Sequence, residues 1–98
     1  MIIHNVFFSF KPNISKEKIE AMWRELLKMK DRIDCIEKIV YGENKSSEGL
    51  SKNFTHGFII YLKNGSINDY LKHPTHKLFA QKFLIPIIQD ALVFDFEA

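Results

Sequence analysis

Positions 2–10, IIHNVFFSF, alternate: Ile2, His4, Val6, Phe8 and Phe10 fall on one side, Ile3, Asn5, Phe7 and Ser9 on the other. Period two among β-branched and aromatic residues predicts a strand, and bulky apolar groups on both sides predict that both faces are covered. Lys11-Pro12-Asn13 ends the pattern. Ser15 is then placed as a helix N-cap, with Ile14 and Ile19 spaced for a hydrophobic staple. Ile19, Met22, Trp23, Leu26 and Leu27, with Ile33 beyond them, form an apolar stripe at helical spacing. Lys16, Glu17, Glu20, Arg24, Glu25 and Lys28 read as the solvated side of that helix.

The period returns to two over 35–42, CIEKIVYG, a second strand. A polar loop, ENKSSEGLSKN, covers 43–53. Phe54 to Leu62 predicts a third strand, with His56, Phe58, Ile60 and Leu62 on one face. Asn64-Gly65 turns the chain, Ser66 is placed to cap a short helix, and Asp69 favours its positive end. That helix stops at His73, because Pro74 disfavours helical backbone at the residue before it and suits the first turn of a new helix. The new helix turns Leu78, Phe79 and Phe83 inward. Pro86 marks its end or a kink, with Ile87-Ile88 continuing past it, and 91–97, ALVFDFE, predicts a last strand.

The order β-α-β-β-α-β, with the second helix broken at Pro74, predicts an α+β, ferredoxin-like protomer in one domain over 1–98. A four-stranded sheet with helices on one side has a free face. Here that face is expected to carry Ile3, Phe7, Ile59, Tyr61 and Val93, too apolar for water, so the expected state is a homodimer in which two sheets meet.

Composition narrows the function classes. Of the 98 residues, 46% are apolar, which excludes a disordered chain. The net charge of +2 comes from interleaved signs with no basic stripe, so nucleic acid is not an expected partner. No run approaches the ~20 apolar residues of a membrane span, and MIIHNVFFSF lacks the basic lead and cleavage site of a signal peptide. The single cysteine, Cys35, forms no internal disulfide and reads as a small apolar residue. The expectation is a cytoplasmic protein. No glycine-rich phosphate loop and no G-x-S-x-G element occurs, so no cofactor is expected.

Several pieces in order resemble a known family: MIIHNVFFSFKP at the start, Gly42-Glu43-Asn44 with Ser46-Ser47-Glu48-Gly49, FTHGFIIYL, YLKHPTH, and Asp95-Phe96 near the end. Together they are similar to the stress-responsive dimeric α/β-barrel (Dabb) domain over essentially the whole chain. The resemblance implies a ferredoxin-like protomer and a dimeric α+β barrel. It also implies a range of roles, from plant stress proteins without an established catalytic role to polyketide cyclases that use a tyrosine and a histidine in a pocket between sheet and helices. The positions matching that pattern are His4, His56, Tyr70, His73 and His76.

The residues themselves support acid–base chemistry. A histidine titrates near neutral pH and exchanges a proton readily, and a tyrosine hydroxyl steadies a developing oxyanion. His76 is therefore the candidate base and Tyr70 the candidate oxygen-binding donor. His4 and His56 lie on apolar strand faces, either as satisfied core histidines or in a pocket shared with His76. His73 is a helix-end cap and a further candidate ligand contact. Phe8, Phe58, Phe79 and Phe83 are the expected pocket walls. His73 and His76 are three apart but divided by Pro74, and no cysteine or carboxylate cluster completes a ligand set, so no metal is expected. The leading expectation is a homodimer that binds or converts a small aromatic or polyketide-like carbonyl compound, as a cofactor-free lyase or cyclase if it is an enzyme. The alternatives are a non-catalytic stress-response binding or stability module and, by fold analogy, a cofactor-free monooxygenase.

Overall fold

The computed structural model describes residues 1–98. Strand β1 spans Ile2–Phe10, helix α1 Lys16–Arg32, β2 Ile36–Glu43, β3 His56–Leu62, α2 Ile67–Lys72, α3 Pro74–Phe79 and β4 Ile88–Glu97. The strands form one antiparallel sheet in the order β2-β3-β1-β4, the ferredoxin-like arrangement. The Ser15 side chain accepts from the Lys18 N–H and caps α1 as expected. Ser66 does not cap α2 in that way: its hydroxyl donates backward to the Lys63 carbonyl.

Beyond α3 the backbone widens into a π turn over Ala80–Leu84 and tightens into a 3₁₀ turn over Ile85–Ile87. Ile88 already belongs to β4, so Pro86 sits in the last helical turn and the apolar pair Ile87-Ile88 does not extend the helix. Ile87 is core and Ile88 opens the strand.

Register fixes which residues share a face. On the side toward the helices the cross-strand rows are Ile36–Leu62–Ile2–Glu97, Ile39–Ile60–His4–Asp95, Tyr41–Phe58–Val6–Val93 and Glu43–His56–Phe8–Ala91. The other side carries Lys38–Tyr61–Ile3–Phe96, Val40–Ile59–Asn5–Phe94 and Gly42–Gly57–Phe7–Leu92. Val93 therefore belongs to the helix side, and Leu92, Phe94 and Phe96 take the place expected of it. Helix α1 buries Met22, Leu26 and Met29 with Ile33 just past its end. Spacings of four, three and four keep them on one line, which Leu27 leaves: it is exposed, and Met29 does the work assigned to it.

The helices cover one face only. Phe94 is 61% exposed and Phe96 48% on the bare side, where Phe7 and Leu92 also reach solvent. Asn5 is buried on that side because its amide donates to the carbonyls of Ile3 at 3.1 Å and Phe94 at 2.9 Å.

Gly57 is required by its neighbour across the strands. A Cβ there would stand 2.6 Å from Cδ1 of Phe7 and 3.1 Å from the Val6 carbonyl oxygen. The Phe7 ring lies over β3 in the space that glycine leaves. Gly57→Ala is expected to cost about 1–3 kcal/mol of stability through overpacking, measured by urea unfolding. Combining it with Phe7→Ala should recover part of that loss, because the second change removes the clash; purely additive losses would show that the ring is not the obstacle.

Candidate active site between sheet and broken helix

The chain stops and restarts its helix within four residues. His73 takes an extended backbone (φ −63°, ψ 134°), as expected of a residue before proline. Its N–H donates to the Tyr70 carbonyl, closing α2, and its Nδ1 accepts from the Thr75 N–H at 3.1 Å, capping α3. The ring of His73 is thus engaged in architecture.

The break brings Tyr70 and His76 together. In a continuous helix, residues six apart lie about 9 Å apart along the axis and on different sides. Here the ring centres are 4.5 Å apart. The His76 Nδ1 lies 3.0 Å from the Leu71 carbonyl oxygen, which can only accept, so Nδ1 carries the proton and the neutral ring keeps a free lone pair on Nε2.

His4 completes the group from β1. It is buried, its ring is 5.3 Å from that of Tyr70, and its Nδ1 is 2.6 Å from Oδ1 of Asp95, directly opposite in the β1–β4 register. An ionised Asp95 accepts from Nδ1–H and fixes the His4 tautomer. Reading residues singly missed this pairing, although Asp95 stands at the same parity as Ala91 and Val93, and an acid at an inward position is itself a signal.

Burial sets the protonation states. Tyr70 is almost wholly enclosed, and desolvation, helped by nearby Cys35 and Asp95, pushes its hydroxyl far above the ordinary phenol range. It stays a neutral donor. Desolvation also holds His76 below the ordinary imidazole value; His4, His73 and Lys77 act in the same direction, while the Leu71 hydrogen bond opposes them. His76 is therefore neutral at pH 7, the form that takes up a proton.

The expected wider pocket does not gather all its members. His56 lies four residues along β3 from the partner of His4, a separation of about 13 Å. Its Nδ1 pairs with the Thr55 hydroxyl at 2.8 Å, and its ring sits among Phe10, Phe8 and Trp23. Phe8, Phe58 and Phe79 are buried, and their rings meet in tilted or edge contact at 6.0 Å and 6.3 Å. They close the interior by packing against one another; Phe83 is half-buried beside them. A cavity of about 550 Å³ is present, but it lies by the β2–β3 loop. It borders His56 and Phe58 and none of His4, Tyr70, His73, His76, Phe79 or Phe83.

Two measurements follow from this geometry. The His76 ring signal should titrate below the ordinary midpoint in an NMR pH series. Because the native pKa is lowered, the neutral buried ring contributes stability above an unfolded value of ~6.5, and that contribution fades as pH falls toward the native value. His76→Gln should flatten this part of the stability profile. Asp95→Ala strands a buried imidazole N–H and should cost about 1–3 kcal/mol by denaturant unfolding. The same change in a His4→Leu background should cost clearly less.

Comparison with known proteins places this geometry in context. The model of the stress responsive A/B barrel domain matches residues 2–98. The stress-response A/B barrel domain-containing protein HS1 of Arabidopsis thaliana is 30% identical over 95 residues, 96% of this chain and 86% of that protein. A crystal structure of an Arabidopsis thaliana protein superposes with a TM-score of 0.93 at 26% identity, covering 100% of this chain and 95% of that one. A hydroxynitrile lyase from Passiflora edulis shares the fold with a TM-score of 0.87 at 17% identity, over 97% of this chain and 90% of its own. A protein of unknown function from Jannaschia, described as dimeric and ferredoxin-like, does so with a TM-score of 0.85 at 20% identity, over 99% and 98%. Family match, identity and fold agree: the chain belongs to the stress-responsive A/B barrel domain family.

Proposed function

We propose that this chain forms a homodimer through its bare sheet face and that His76 and Tyr70 perform cofactor-free proton transfer on a small aromatic carbonyl compound. The observation that carries the chemistry is the pairing of a neutral His76, with its Nε2 lone pair free, and a Tyr70 hydroxyl that stays protonated, in ring contact at the helix break. In this reading Nε2 removes a proton from carbon next to the carbonyl, or from the hydroxyl of a carbonyl adduct. Tyr70 donates to the oxygen that gains negative charge, and the proton returns from His76 to the product or leaving group. His4, held by Asp95, supports the Tyr70 ring from the sheet. The dimer rests on Phe7, Leu92, Phe94 and Phe96, which a lone protomer leaves in water. Solved neighbours described as dimeric ferredoxin-like proteins support the same assembly.

The hydroxynitrile lyase among the neighbours shows that the scaffold is compatible with a lyase; at 17% identity it assigns no residue here. A second reading, a non-catalytic stress-response binding module, is favoured by one observation: Phe8, Phe58 and Phe79 fill the space beside the cluster.

The two readings separate in one assay series on aryl ketones, followed by deuterium exchange at the α-carbon, and on aryl cyanohydrins, followed by aldehyde release. If the first reading holds, His76→Ala and Tyr70→Phe each lower kcat/KM by about 10²–10⁴-fold with the fold retained by circular dichroism. Turnover that survives both substitutions would remove these residues from the chemistry. Absence of turnover across the series, with both variants melting lower, would favour the binding module.

A further inference from the structure

The cavity of about 550 Å³ lies on the face opposite the His4–Tyr70–His76 cluster and has no part in the chemistry proposed there. Its floor is the row Gly42–Gly57–Phe7–Leu92. Two glycines paired across β2 and β3 leave a strip of bare backbone in a face otherwise set with bulky side chains. A Cβ on Gly42 would meet nothing within 4 Å, so the strip is open space above that strand. At Gly57 the Phe7 ring leans into the gap and forms a flat side wall.

The β2–β3 loop, residues 44–55, borders this floor and brings Leu50 and Phe54 to the cavity. Local bonds hold the loop: the Ser46 N–H donates to the Asn44 side chain at 2.9 Å, the Phe54 N–H to the Ser51 carbonyl at 3.0 Å, and the Thr55 N–H to the Phe8 carbonyl at 2.9 Å. The volume falls in the range of small-molecule sites, about 300–1,000 Å³. Charge selects the polar end of the occupant. The lining carries one carboxylate, Glu43, whose Oε1 is 3.9 Å from Nζ of Lys45, and one cation, Lys52, which pairs with no carboxylate.

We propose that this cavity binds a planar aromatic carboxylate, its ring laid on the Gly42–Gly57 backbone between Phe7 and the Leu50–Phe54 loop, its carboxylate toward Lys52. Flat ring and flat floor match in shape, and the unpaired ammonium matches in charge. A second copy packed on the rest of the sheet face closes the cavity without filling it.

The test is an amide NMR titration of the full chain with 2-naphthoate and with its neutral counterpart 2-naphthylmethanol. Shifts should concentrate at Gly42, Gly57 and Ser51–Phe54. Gly42→Val, at a strand position with no left-handed backbone, should weaken both probes about tenfold or more by occupying the floor. Lys52→Asn, which suits the positive φ of 54° at that position, should weaken naphthoate alone, about two- to fivefold. No shifts at millimolar probe, or shifts confined to Tyr70 and His76, would overturn the proposal. So would conversion of a dimer to monomer by Gly42→Val in analytical ultracentrifugation, because the occupant would then be the second copy.

Discussion

Four strands are covered by helices on one face only, and most of what is distinctive here follows from that constraint. The covered face must be filled by the α1 stripe of Met22, Leu26, Met29 and Ile33 and by what the chain supplies after β3. That second element is too short and too broken to cover β4, whose residues from Gln89 onward are exposed. Asp95 can therefore remain ionised at the margin of the core while holding the buried His4. On the other side, the same one-sided cover leaves Phe7, Leu92, Phe94 and Phe96 exposed, a patch that a soluble monomer carries at a cost in solubility and that a second sheet would remove from water.

The broken helix turns a packing shortfall into a site. Pro74 cannot donate to α2, and His73, extended before it, closes one helix with its backbone and opens the next with its ring. Both helix ends are satisfied by one residue, so the kink is held by hydrogen bonds and not by an empty hinge. The Leu71 carbonyl, left without a helical partner by the break, becomes the acceptor that fixes the His76 tautomer. Backbone groups released by the proline are what make His76 a base with a defined free nitrogen.

Much of this architecture is legible in the residues. Alternation located the strands to within one or two residues, Ser15 located the start of α1, and Pro74 located the helix break, because each depends on neighbours in sequence. What escaped depends on partners distant in sequence. The pairing of His4 with Asp95 spans 91 positions and is set by the β1–β4 register. The same register moves Val93 to the covered face and Phe94 to the bare one, a one-residue difference that reverses every side chain in a strand. His56 was grouped with His4 because both share a parity, and parity gives the face of a sheet but not the distance along it. The phenylalanines expected as pocket walls satisfy the same pattern as a core, and only ring-to-ring geometry tells the two apart.

Glycine shows how the two faces constrain each other. Gly57 sits between Phe58 and His56, whose side chains go to the helix side, while its own position on the bare face must be empty for Phe7 to lie flat. A larger residue there would lift the Phe7 ring, and the strand carrying it also carries Val6 and Phe8 into the core. The bare face cannot be remodelled at that point without disturbing the filled one. A depression beside Gly42 and Gly57 is thus anchored to the core packing of the same strands, which makes it a durable feature of the surface, and a ligand laid on it would contact backbone whose position is already fixed from the other side.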